Sequence, residues 1–544
     1  MGVHRRSPRR PGVPPAATSR RPDGEDQTMS RLHLPAIFLL MICPSATWAG
    51  SNDLGPADRA ILAGYARDTW QSFAAMAMPS GLPCDSLTLA DGRWTPSTYT
   101  SPSNIGAYLW SILAAEDLEV IGHDEAAQRI GKTLETLGRI ERAHGFYLNW
   151  YDPKDGSTVT TWPGGGPIRP FLSTVDNGWL AASLVMIRNA RPAFRDIADG
   201  LLGPMNFGFF YDPYDASNPA AHPGLLRGGY WLDDKTFAGF HYGMLNTEAR
   251  IASYIGISRG DLPLDHYYRM SRSRPPAAES RSDRDRFEVQ NYHGVPVEQG
   301  FRTVKGLRVV PSWDGSMFEA LMVSLFIPEA EWAPHAWGIN HPLYVRAQIQ
   351  NALEDARMAA WGVSASNIPG GGYRVFGVAG LSADGRRTDT VGDTVVTPHA
   401  SFLALAFAPR EAMANMSILS EKFRAYGPHG FHDAVDVASG KVSETSLAID
   451  QGMIMAAIAN ALTDGGMQRA FCEGDIDRVI RPLIAPERFA SGIEEGHPNR
   501  PSSRSQWRLD PPAPQTVSAM KAPAEAEPAK PAPMPAPAEA LVQQ

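Results

Sequence analysis

Residues 101–122 have the sequence SPSNIGAYLWSILAAEDLEVIG, and this stretch contains the signals that open and close an α-helix. Ser101 is a typical N-cap residue, Pro102 suits the first helical position, and Gly122 is a typical stop. Between them, apolar side chains recur with the 3.6-residue period of a helix face, at Ile105, Tyr108, Leu109, Ile112 and Leu113. The stretch therefore predicts an α-helix over residues 102–121.

The same combination of caps and period recurs along most of the chain. It predicts further helices over residues 56–78, 125–143, 174–190, 192–204, 244–258, 316–327, 341–359, 398–408, 409–424, 446–463 and 467–483. The sequence has no regular alternation of strands and helices, which a parallel α/β sheet would require. The pattern therefore predicts an all-α fold.

Glycine and aromatic residues are concentrated in the segments between these helices, over 145–156, 207–215, 228–242, 370–380 and 430–440. Two of the segments nearly match, because WYDPKD at 150–155 is echoed by FYDPYD at 210–215. A repeat at this distance suits one helical hairpin with its loops, and it predicts an (α/α)6 toroid, or barrel, with short β-hairpins at one rim. An Asp-Pro turn would by itself explain each copy.

Composition and charge limit the classes of function. Of the 544 residues, 43% are apolar and 20% are charged, which is typical of a large globular protein rather than a disordered or fibrous one. The 50 Lys and Arg residues are outnumbered by 58 Asp and Glu residues, so the net charge is -8. A negatively charged protein is poorly suited to neutralise phosphates, and no nucleic-acid partner is expected.

The two ends of the chain differ from its middle. Residues 1–49 are predicted to be an N-terminal extension and signal peptide, with an apolar run from Leu34 to Cys43 and a cleavage site after Ala49. The run is too short to span a bilayer, so we expect a periplasmic or secreted protein without stable membrane insertion. Lipidation at Cys43 is the alternative. Residues 50–493 form the predicted folded domain, and the Pro/Ala-rich residues 494–544 a predicted disordered tail.

The remaining features are an insertion and a small set of metal-binding residue types. Residues 261–310, which include a charged stretch at 271–286, are a predicted insertion and candidate lid. The exported chain keeps Cys84 and Cys472, which are expected either to form one disulfide or to remain as two free thiols. His429 and His432 are the only closely spaced histidines, and they flank a glycine. We therefore expect no metal site and no cofactor.

Carboxylates and aromatic residues are the remaining candidates for chemistry, because the chain lacks a nucleophile elbow, a Walker loop and a His-Glu-x-x-His motif. A cleft lined by acids and aromatic rings suits an uncharged polysaccharide, since the rings stack on sugars and the carboxylates transfer protons. The aromatic candidates for substrate binding are Trp150, Trp179, Trp231 and Tyr242.

Glu248 is the most informative acid in the sequence. On the predicted helix over 244–258 it shares a face with the apolar residues Ile251, Ala252 and Ile255. Burial there would raise its pKa and keep it protonated, as a general acid requires. A buried salt bridge with a residue near Arg250 is the structural alternative.

Four further acids have both a structural and a functional interpretation. Glu319 fits a capping box with Ser316, while Asp176 and Asp450 stand where helices begin, and all three are also predicted to bind substrate. Asp433 lies in a hairpin-like segment where a period of two places it with Phe431 and Val435. A turn aspartate is the structural alternative for Asp433.

Several motifs together resemble those of the bacterial glycoamylase-like proteins, over roughly residues 56–490. This family includes the β-1,2-glucan hydrolases of glycoside hydrolase family 144 and the glucan-cyclising domain of cyclic β-1,2-glucan synthases. The motifs are TSPSNIG at 100–106, FYLNWYD at 146–152, STVDNG at 173–178, TEAR at 247–250, WDGSMFE at 313–319, YRVFG at 373–377 and IDQG at 449–452.

The resemblance implies an (α/α)6 barrel that hydrolyses a β-linked glucan, with Glu248 as catalytic acid and Asp433 as catalytic base. Cyclising domains similar to this one carry a glutamate in a Trp-Gly-Ile-Ser-Glu-Ser motif, where this chain has Ala365. An alanine cannot act as a nucleophile, so we expect an inverting hydrolase rather than a retaining transglycosylase.

Two alternatives use the same cleft differently. The first is a non-catalytic polysaccharide-binding protein that serves the export or modification of a glucan. The second is a polysaccharide lyase, which needs Arg or Lys to neutralise a uronate. Residues 1–49 carry seven basic and three acidic residues, a charge of +4, so the exported chain carries -8 minus 4, or -12, which argues against a lyase.

Overall fold

The computed structural model of the chain describes residues 54–273, 287–383 and 394–494. The predicted signal peptide, the tail from residue 495 onward and residues 274–286 of the candidate lid lie outside these ranges. The rest of the insertion contains a short helix and paired strands. Within the described ranges, no helix combines the length and the apolar character needed to cross a membrane.

The helices follow most of the predicted segments. They are α1 (Pro56–Met76), α2 (Pro102–Asp117), α3 (His123–Leu137), α4 (Thr174–Ala190), α5 (Arg195–Leu202), α6 (Arg250–Arg259), α7 (Asp265–Arg269), α8 (Met317–Leu321), α9 (Glu329–Trp332), α10 (Trp337–Gln350), α11 (Pro398–Leu403), α12 (Pro409–Ser417), α13 (Ala448–Leu462), α14 (Gly466–Cys472) and α15 (Asp475–Ile484). Short 3-10 turns cover Pro192–Phe194, Phe207–Phe210, Met322–Leu325 and Ala379–Leu381, and π-helical turns extend α10 over Asn351–Asp355 and α12 over Ile418–Lys422.

Helix α2 shows how the local signals are used. The Ser101 hydroxyl accepts a hydrogen bond from the backbone N–H of Asn104 at 3.4 Å, which satisfies one of the free donors at the helix start. The helix ends at Asp117, and Glu119 makes the turn with a φ of 58°. Gly122 is therefore not the stop of α2 but the N-cap of α3. Nearly every side chain of α2 is buried, which is typical of a helix surrounded by others.

Six helices pack side by side in chain order. Helix α2 lies between α4 and α13, α4 also packs on α6, and α13 packs on α11, which contacts α8. Each of the six has a partner on its outer side, in the pairs α2–α3, α4–α5, α6–α15, α8–α10, α11–α12 and α13–α1. The molecule is thus a helix-rich protein in two layers of helices.

Glycines allow the closest of these approaches. A Cβ on Gly106 of α2 would lie 2.9 Å from the Trp179 carbonyl oxygen of α4. A Cβ on Gly178 of α4 would lie 2.9 Å from the Cβ of Ala252 in α6, and one on Gly452 of α13 would lie 2.8 Å from the Cβ of Ala107 in α2. Larger residues at these three positions would push the helices apart.

The strands are short, antiparallel and placed between the helices. They are β1 (Ser86–Ala90), β2 (Arg93–Pro96), β3 (Arg142–Ala143), β4 (Phe146–Tyr147), β5 (Phe171–Ser173), β6 (Tyr211–Asp212), β7 (Leu225–Leu226), β8 (Gly229–Trp231), β9 (Thr236–Phe237), β10 (Val289–Tyr292), β11 (Val295–Glu298), β12 (Arg302–Val304), β13 (Leu307–Val309), β14 (Ser366–Asn367), β15 (Tyr373–Arg374), β16 (Val395–Val396), β17 (Tyr426–Gly427), β18 (Gly430–Phe431), β19 (Val435–Asp436), β20 (Lys441–Val442), β21 (Thr445–Leu447) and β22 (Gly492–Ile493).

The three-stranded sheets have the orders β2-β1-β21, β5-β8-β9, β12-β13-β22 and β16-β19-β20, and the other strands form two-stranded hairpins. In the first sheet Ser86 is opposite Leu447, so the start of the domain pairs with a strand near its end. This pairing brings Asp85 to the beginning of α13.

Several predicted boundaries are wrong for reasons that lie in the tertiary structure. The helix predicted over 244–258 begins only at Arg250, because Met244 forms a β-bridge with Ser271 instead of a helical turn. The helix predicted over 467–483 is divided into α14 and α15 at Gly474, whose φ is 88°. The helix predicted over 125–143 ends at Leu137, and β3 begins at Arg142.

The two cysteines do not form the disulfide that was one of the two expectations. Cys84 and Cys472 are both buried free thiols, which confirms the second expectation. Burial raises the pKa of the Cys84 thiol to about 12, so this group remains protonated. Within the described ranges, no group of three His, Cys, Asp or Glu side chains is placed to hold a metal ion.

Candidate active site

A cleft with about 860 Å³ of open space lies where several helices begin. It is lined by residues at the N-terminal ends of α2, α4, α8 and α13, by the turn before α6, and by residues near β14 and β15. Helix N-termini favour negative charge, because their free N–H groups and dipoles point outward. The lining contains five carboxyl groups, those of Asp85, Asp176, Glu248, Asp314 and Glu319.

Glu248 lies in the turn immediately before α6 rather than on the helix, and its side chain is buried. The indole N–H of Trp179 donates a hydrogen bond of 2.5 Å to its Oε2. Burial, together with the negative charge of Glu319, raises the pKa of Glu248 well above its usual value. The salt-bridge alternative is wrong, since Arg250 pairs with Glu329 instead.

Glu319 supports the turn that carries Glu248. Its Oε2 accepts hydrogen bonds from the Thr247 hydroxyl and, at 3.1 Å, from the backbone N–H of Glu248. Ser316 caps α8 through the N–H of Glu319, but the N–H of Ser316 is bound by Asp314, so the predicted capping box is only half formed. The Glu319 carboxyl is therefore free to face the cleft, where burial and the charge of Asp314 raise its pKa to about 7.

Asp176 lies in the first turn of α4 and lines the same cleft as Glu248. Its Oδ1 accepts a hydrogen bond of 2.6 Å from the Ser103 hydroxyl, while Ser173 caps the helix. Burial raises the pKa of Asp176. The structure therefore places Asp176 in the cleft lining, as a carboxyl that links α2 to α4.

Sequence reasoning missed two acids of the lining. Asp85 accepts a hydrogen bond of 2.7 Å from the Asn104 side chain, and burial raises its pKa to about 7. Asp314 accepts from the Ser316 N–H at 2.8 Å, and burial raises its pKa to about 6. Asp314 lies in the WDGSMFE motif and was within reach of sequence reasoning, whereas Asp85 reaches the cleft only through the pairing of β1 with β21.

Asp433 lies behind the wall of the cleft and is not part of its lining. Its Oδ2 accepts from the backbone N–H of Asn367 at 2.5 Å, and its Oδ1 accepts from that of Leu447 at 3.3 Å. Burial and the neighbouring carboxyl of Asp450 raise the pKa of Asp433 well above its usual value. As the period of two predicted, Asp433 is buried together with Phe431 and Val435.

Asp450 is also absent from the lining. Leu447 is the N-cap of α13, so Asp450 is the third residue of the helix and not its cap. Its carboxyl is a neighbour of that of Asp433, and its Oδ2 lies 3.2 Å from Nδ1 of the buried His399. Burial raises the pKa of Asp450 to about 7. The structure thus places Asp450 next to Asp433 and outside the cleft lining.

The predicted aromatic residues occupy different positions. Trp150 lines the cleft and packs edge-on against Tyr99 and Trp162. Tyr242 lies near Glu248 and Asp176. Burial and the charges of these two acids raise the pKa of Tyr242 well above its usual value.

Three of the predicted aromatic residues, Trp179, Trp231 and Tyr242, are not part of the lining. Trp179 is 1% exposed, and its contact with the site is the hydrogen bond to Glu248 rather than a free ring face. Trp231 pairs with Phe171 and lies under the guanidinium of Arg169, 4.2 Å from its ring centre. Tyr373, which sequence reasoning did not select, lines the cleft.

The cleft lining contains no ion pair among the described residues: none of its five carboxyl groups has a Lys, Arg or His partner. Buried carboxyl groups without a cation tend to bind a proton, because the charged form is poorly solvated. The arrangement is suited to holding protonated acids beside a neutral ligand.

Comparisons with known proteins agree with the resemblance carried by the motifs. Residues 287–474 match the Glycoamylase family model, described as "Putative glucoamylase", and residues 64–207 match the model "Protein of unknown function (DUF3131)". A cyclic β-(1,2)-glucan synthase, NdvB, of Rhizobium meliloti (strain 1021) is 23% identical over 607 residues, which cover 82% of this chain and 19% of the synthase. The chain therefore spans less than a fifth of that curated relative.

Solved structures share the fold at low sequence identity. An endo-β-1,2-glucanase from Chitinophaga pinensis, in complex with sophorotriose and glucose, matches with a TM-score of 0.58 and 16% identity over 78% of this chain and 97% of that chain. A β-1,2-glucanase from Parabacteroides distasonis matches with a TM-score of 0.59 and 16% identity over 80% of this chain and 60% of that one. The family-model match and the cyclic synthase support the resemblance to the bacterial glycoamylase-like family, and the solved structures show a shared fold.

Proposed function

We propose that the protein is a glycoside hydrolase that cleaves a neutral β-glucan, with a β-1,2-linked glucan as the favoured substrate. The observation that carries this proposal is the group of five cleft carboxyls without a cationic partner, in a fold shared with β-1,2-glucanases. Among the described residues, the lining contains no Lys or Arg, which also disfavours a lyase, since a uronate needs a positive group beside its carboxylate.

Glu248 is the proposed general acid. Protonating a glycosidic oxygen requires a carboxyl that keeps its proton near neutral pH, and burial beside Glu319 favours that state. Trp179 orients the carboxyl by donating to Oε2, so Oε1 remains available to carry the proton toward the substrate. Trp150 and Tyr242 are the proposed contacts to sugar rings.

Asp433 is the proposed base, and its position behind the cleft wall requires a relay through water or a sugar hydroxyl. The proposed stereochemical outcome is inversion. Ala365 lines the same cleft as Glu248, so the position of the nucleophilic glutamate in similar cyclising domains has no nucleophile in this chain. Inverting enzymes also need room for a water between acid and base, which places their carboxyls about 6.5 to 9.5 Å apart.

The proposed architecture is an (α/α)6 barrel, with α2, α4, α6, α8, α11 and α13 as the inner ring and the hairpins at one rim. The neighbour contacts of these helices support it. Export to the periplasm or medium, after removal of residues 1–49, is proposed from the sequence of that segment.

A direct test is to incubate the purified protein with β-1,2-glucan, with other neutral β-glucans and with a uronate polymer. Reducing ends should appear with a β-glucan and be absent with the Glu248→Gln variant, and no unsaturated sugar should absorb with the uronate. Glucan binding without release of reducing ends would instead identify a non-catalytic binding protein. Unsaturated products from the uronate would identify a lyase.

A further inference from the structure

A fully buried arginine lies directly behind the turn that carries Glu248. The side chains of Arg250 and Glu329 are both 0% exposed, and hydrogen bonds of 2.8 and 2.9 Å join the guanidinium to the two carboxylate oxygens. Tyr254 donates to Oε1 of Glu329 at 2.8 Å, and Nε2 of His341 lies 3.1 Å from Oε2. The carboxylate is held on both oxygens, so the plane of the guanidinium is fixed.

The guanidinium also binds the backbone of two separate segments. Its Nη1 donates to the carbonyl of Thr247 at 2.9 Å and to that of Glu319 at 3.5 Å, and its Nη2 donates to the carbonyl of Ala320 at 3.0 Å. Thr247 directly precedes Glu248, and the other two carbonyls belong to α8. Arg250 therefore fastens the turn before α6 to helix α8.

We propose that Arg250 is a positioning residue for the general acid, which it serves by holding the Glu248 turn against α8. The inference rests on the proposed function. A planar guanidinium can bind a carboxylate and several carbonyls at once, whereas a lysine ammonium cannot reproduce that fork. Correct placement matters, because moving a reacting group by about 1 Å can lower a rate by about 10²-fold.

A second pair of the same kind lies away from the cleft and serves as a control. Arg272 and Glu487 are also 0% exposed and hydrogen-bonded to each other. Arg272 likewise donates to backbone carbonyls, those of Tyr267, Tyr268 and Met270. None of these residues belongs to the cleft lining. A substitution in this pair therefore shows how weakening a buried ion pair affects the stability of the protein without affecting the cleft.

The experiment compares Arg250→Lys and Arg272→Lys in the full chain, with β-1,2-glucan as the substrate. Arg250→Lys should lower kcat by about 10- to 10²-fold with KM nearly unchanged, whereas Arg272→Lys should leave both close to wild type. The basic limb of the kcat–pH profile, where Glu248 loses its proton, should move to lower pH only in Arg250→Lys, because a looser turn admits water. The charged and titratable groups that face Glu248 are the same in both variants: Asp176, Asp314, Glu319, Tyr242 and Tyr373.

If Arg250→Lys does not fold, Glu329→Gln and Glu487→Gln replace the two variants, since each keeps the shape of the side chain and one carbonyl acceptor. The inference would be overturned if Arg250→Lys had the same kcat and pH profile as Arg272→Lys, or if Glu329→Gln had the same kcat and pH profile as Glu487→Gln. Either result would leave the proposed function in place. A wild-type protein that hydrolyses no glucan would overturn the proposed function, and this inference with it.

Discussion

The cleft and the layer directly behind it both contain buried glutamates, but the two are in opposite electrostatic states. Burial alone would raise the pKa of Glu329, yet the Arg250 guanidinium beside it lowers that pKa to about 2. Glu319 is buried to a similar degree and has no ion-pair partner in the described part of the chain, and its pKa is raised to about 7. Arg250 contacts both residues, but it binds the side-chain carboxylate of Glu329 and only the backbone carbonyl of Glu319.

The difference separates groups that hold the fold from groups that are available for chemistry. A buried ion pair satisfies its own charges and is costly to break. A buried carboxyl without a cation is costly to ionise, and a protein that places five such groups on one cleft gives up stability there.

Glu248→Gln should nearly abolish turnover without unfolding the protein. Glutamine keeps the shape of the side chain and the acceptor for Trp179 but cannot donate the acidic proton, so kcat should fall by about 10²- to 10⁴-fold. Binding of β-1,2-glucan, measured by calorimetry, should remain, and thermal denaturation should be close to wild type. A variant that has lost stability as well as activity would place Glu248 with the structural carboxyls instead.

Glu329→Ala should have the opposite profile, with a loss of stability as its primary effect. It leaves the Arg250 charge buried and unpaired, which typically costs about 3 to 5 kcal/mol. Denaturant unfolding of this variant and of Glu248→Gln, under the same conditions, measures the contrast. Equal stabilities for the two variants would break the division between paired and unpaired carboxyls.

The pH dependence of stability should differ in sign between the two glutamates. For Glu319, whose folded pKa is about 7 against 4.5 ordinarily, the stabilising contribution is complete below pH 4.5 and lost as the pH rises to about 7. For Glu329, with a folded pKa of about 2, the contribution is complete above pH 4.5 and lost as the pH falls to about 2.

Glu319→Gln should therefore flatten the stability curve between pH 4.5 and pH 7 by roughly 1 to 3 kcal/mol, whereas Glu329→Gln should flatten it below pH 4.5. Chemical denaturation at a series of pH values measures both curves. A Glu319→Gln curve parallel to the wild-type curve over its window would show that the cleft carboxyl is not held protonated.

A smaller effect is expected for the aromatic residues. Trp150→Ala should raise KM for β-1,2-glucan about fivefold, which corresponds to about 1 kcal/mol of lost stacking, because Trp150 lines the cleft. Trp231→Ala is the matched control, since Trp231 lies outside the lining and contacts Arg169. Equal KM values for the two variants would remove Trp150 from the substrate contacts.

Much of the helical framework was within reach of the sequence, because its signals are local. Ser101 and Ser316 each cap the helix that the sequence assigned to them. The start of α6 was missed because a β-bridge between Met244 and Ser271 overrides the local helical period.

The site was only partly predictable for the same reason. The apolar neighbours of Glu248 indicated a buried acid even though the helical turn assumed for it is absent. The support that Glu319 gives to the Glu248 turn could not be predicted. It depends on a half-formed capping box, in which Asp314 binds the N–H of Ser316. Asp85 joins the cleft through strand pairing between the two ends of the domain, which no local pattern reports.

The proposed role of Glu248 is to supply the proton to the departing sugar. Activity of Glu248→Gln and wild type should be measured on two substrates: β-1,2-glucan, and a glucosyl fluoride with the same β configuration at the anomeric carbon. Fluoride is a leaving group that needs no protonation. The variant should lose most of its activity on the glucan and little on the fluoride. Equal losses on both substrates, or none on either, would contradict the assignment of Glu248 as the general acid.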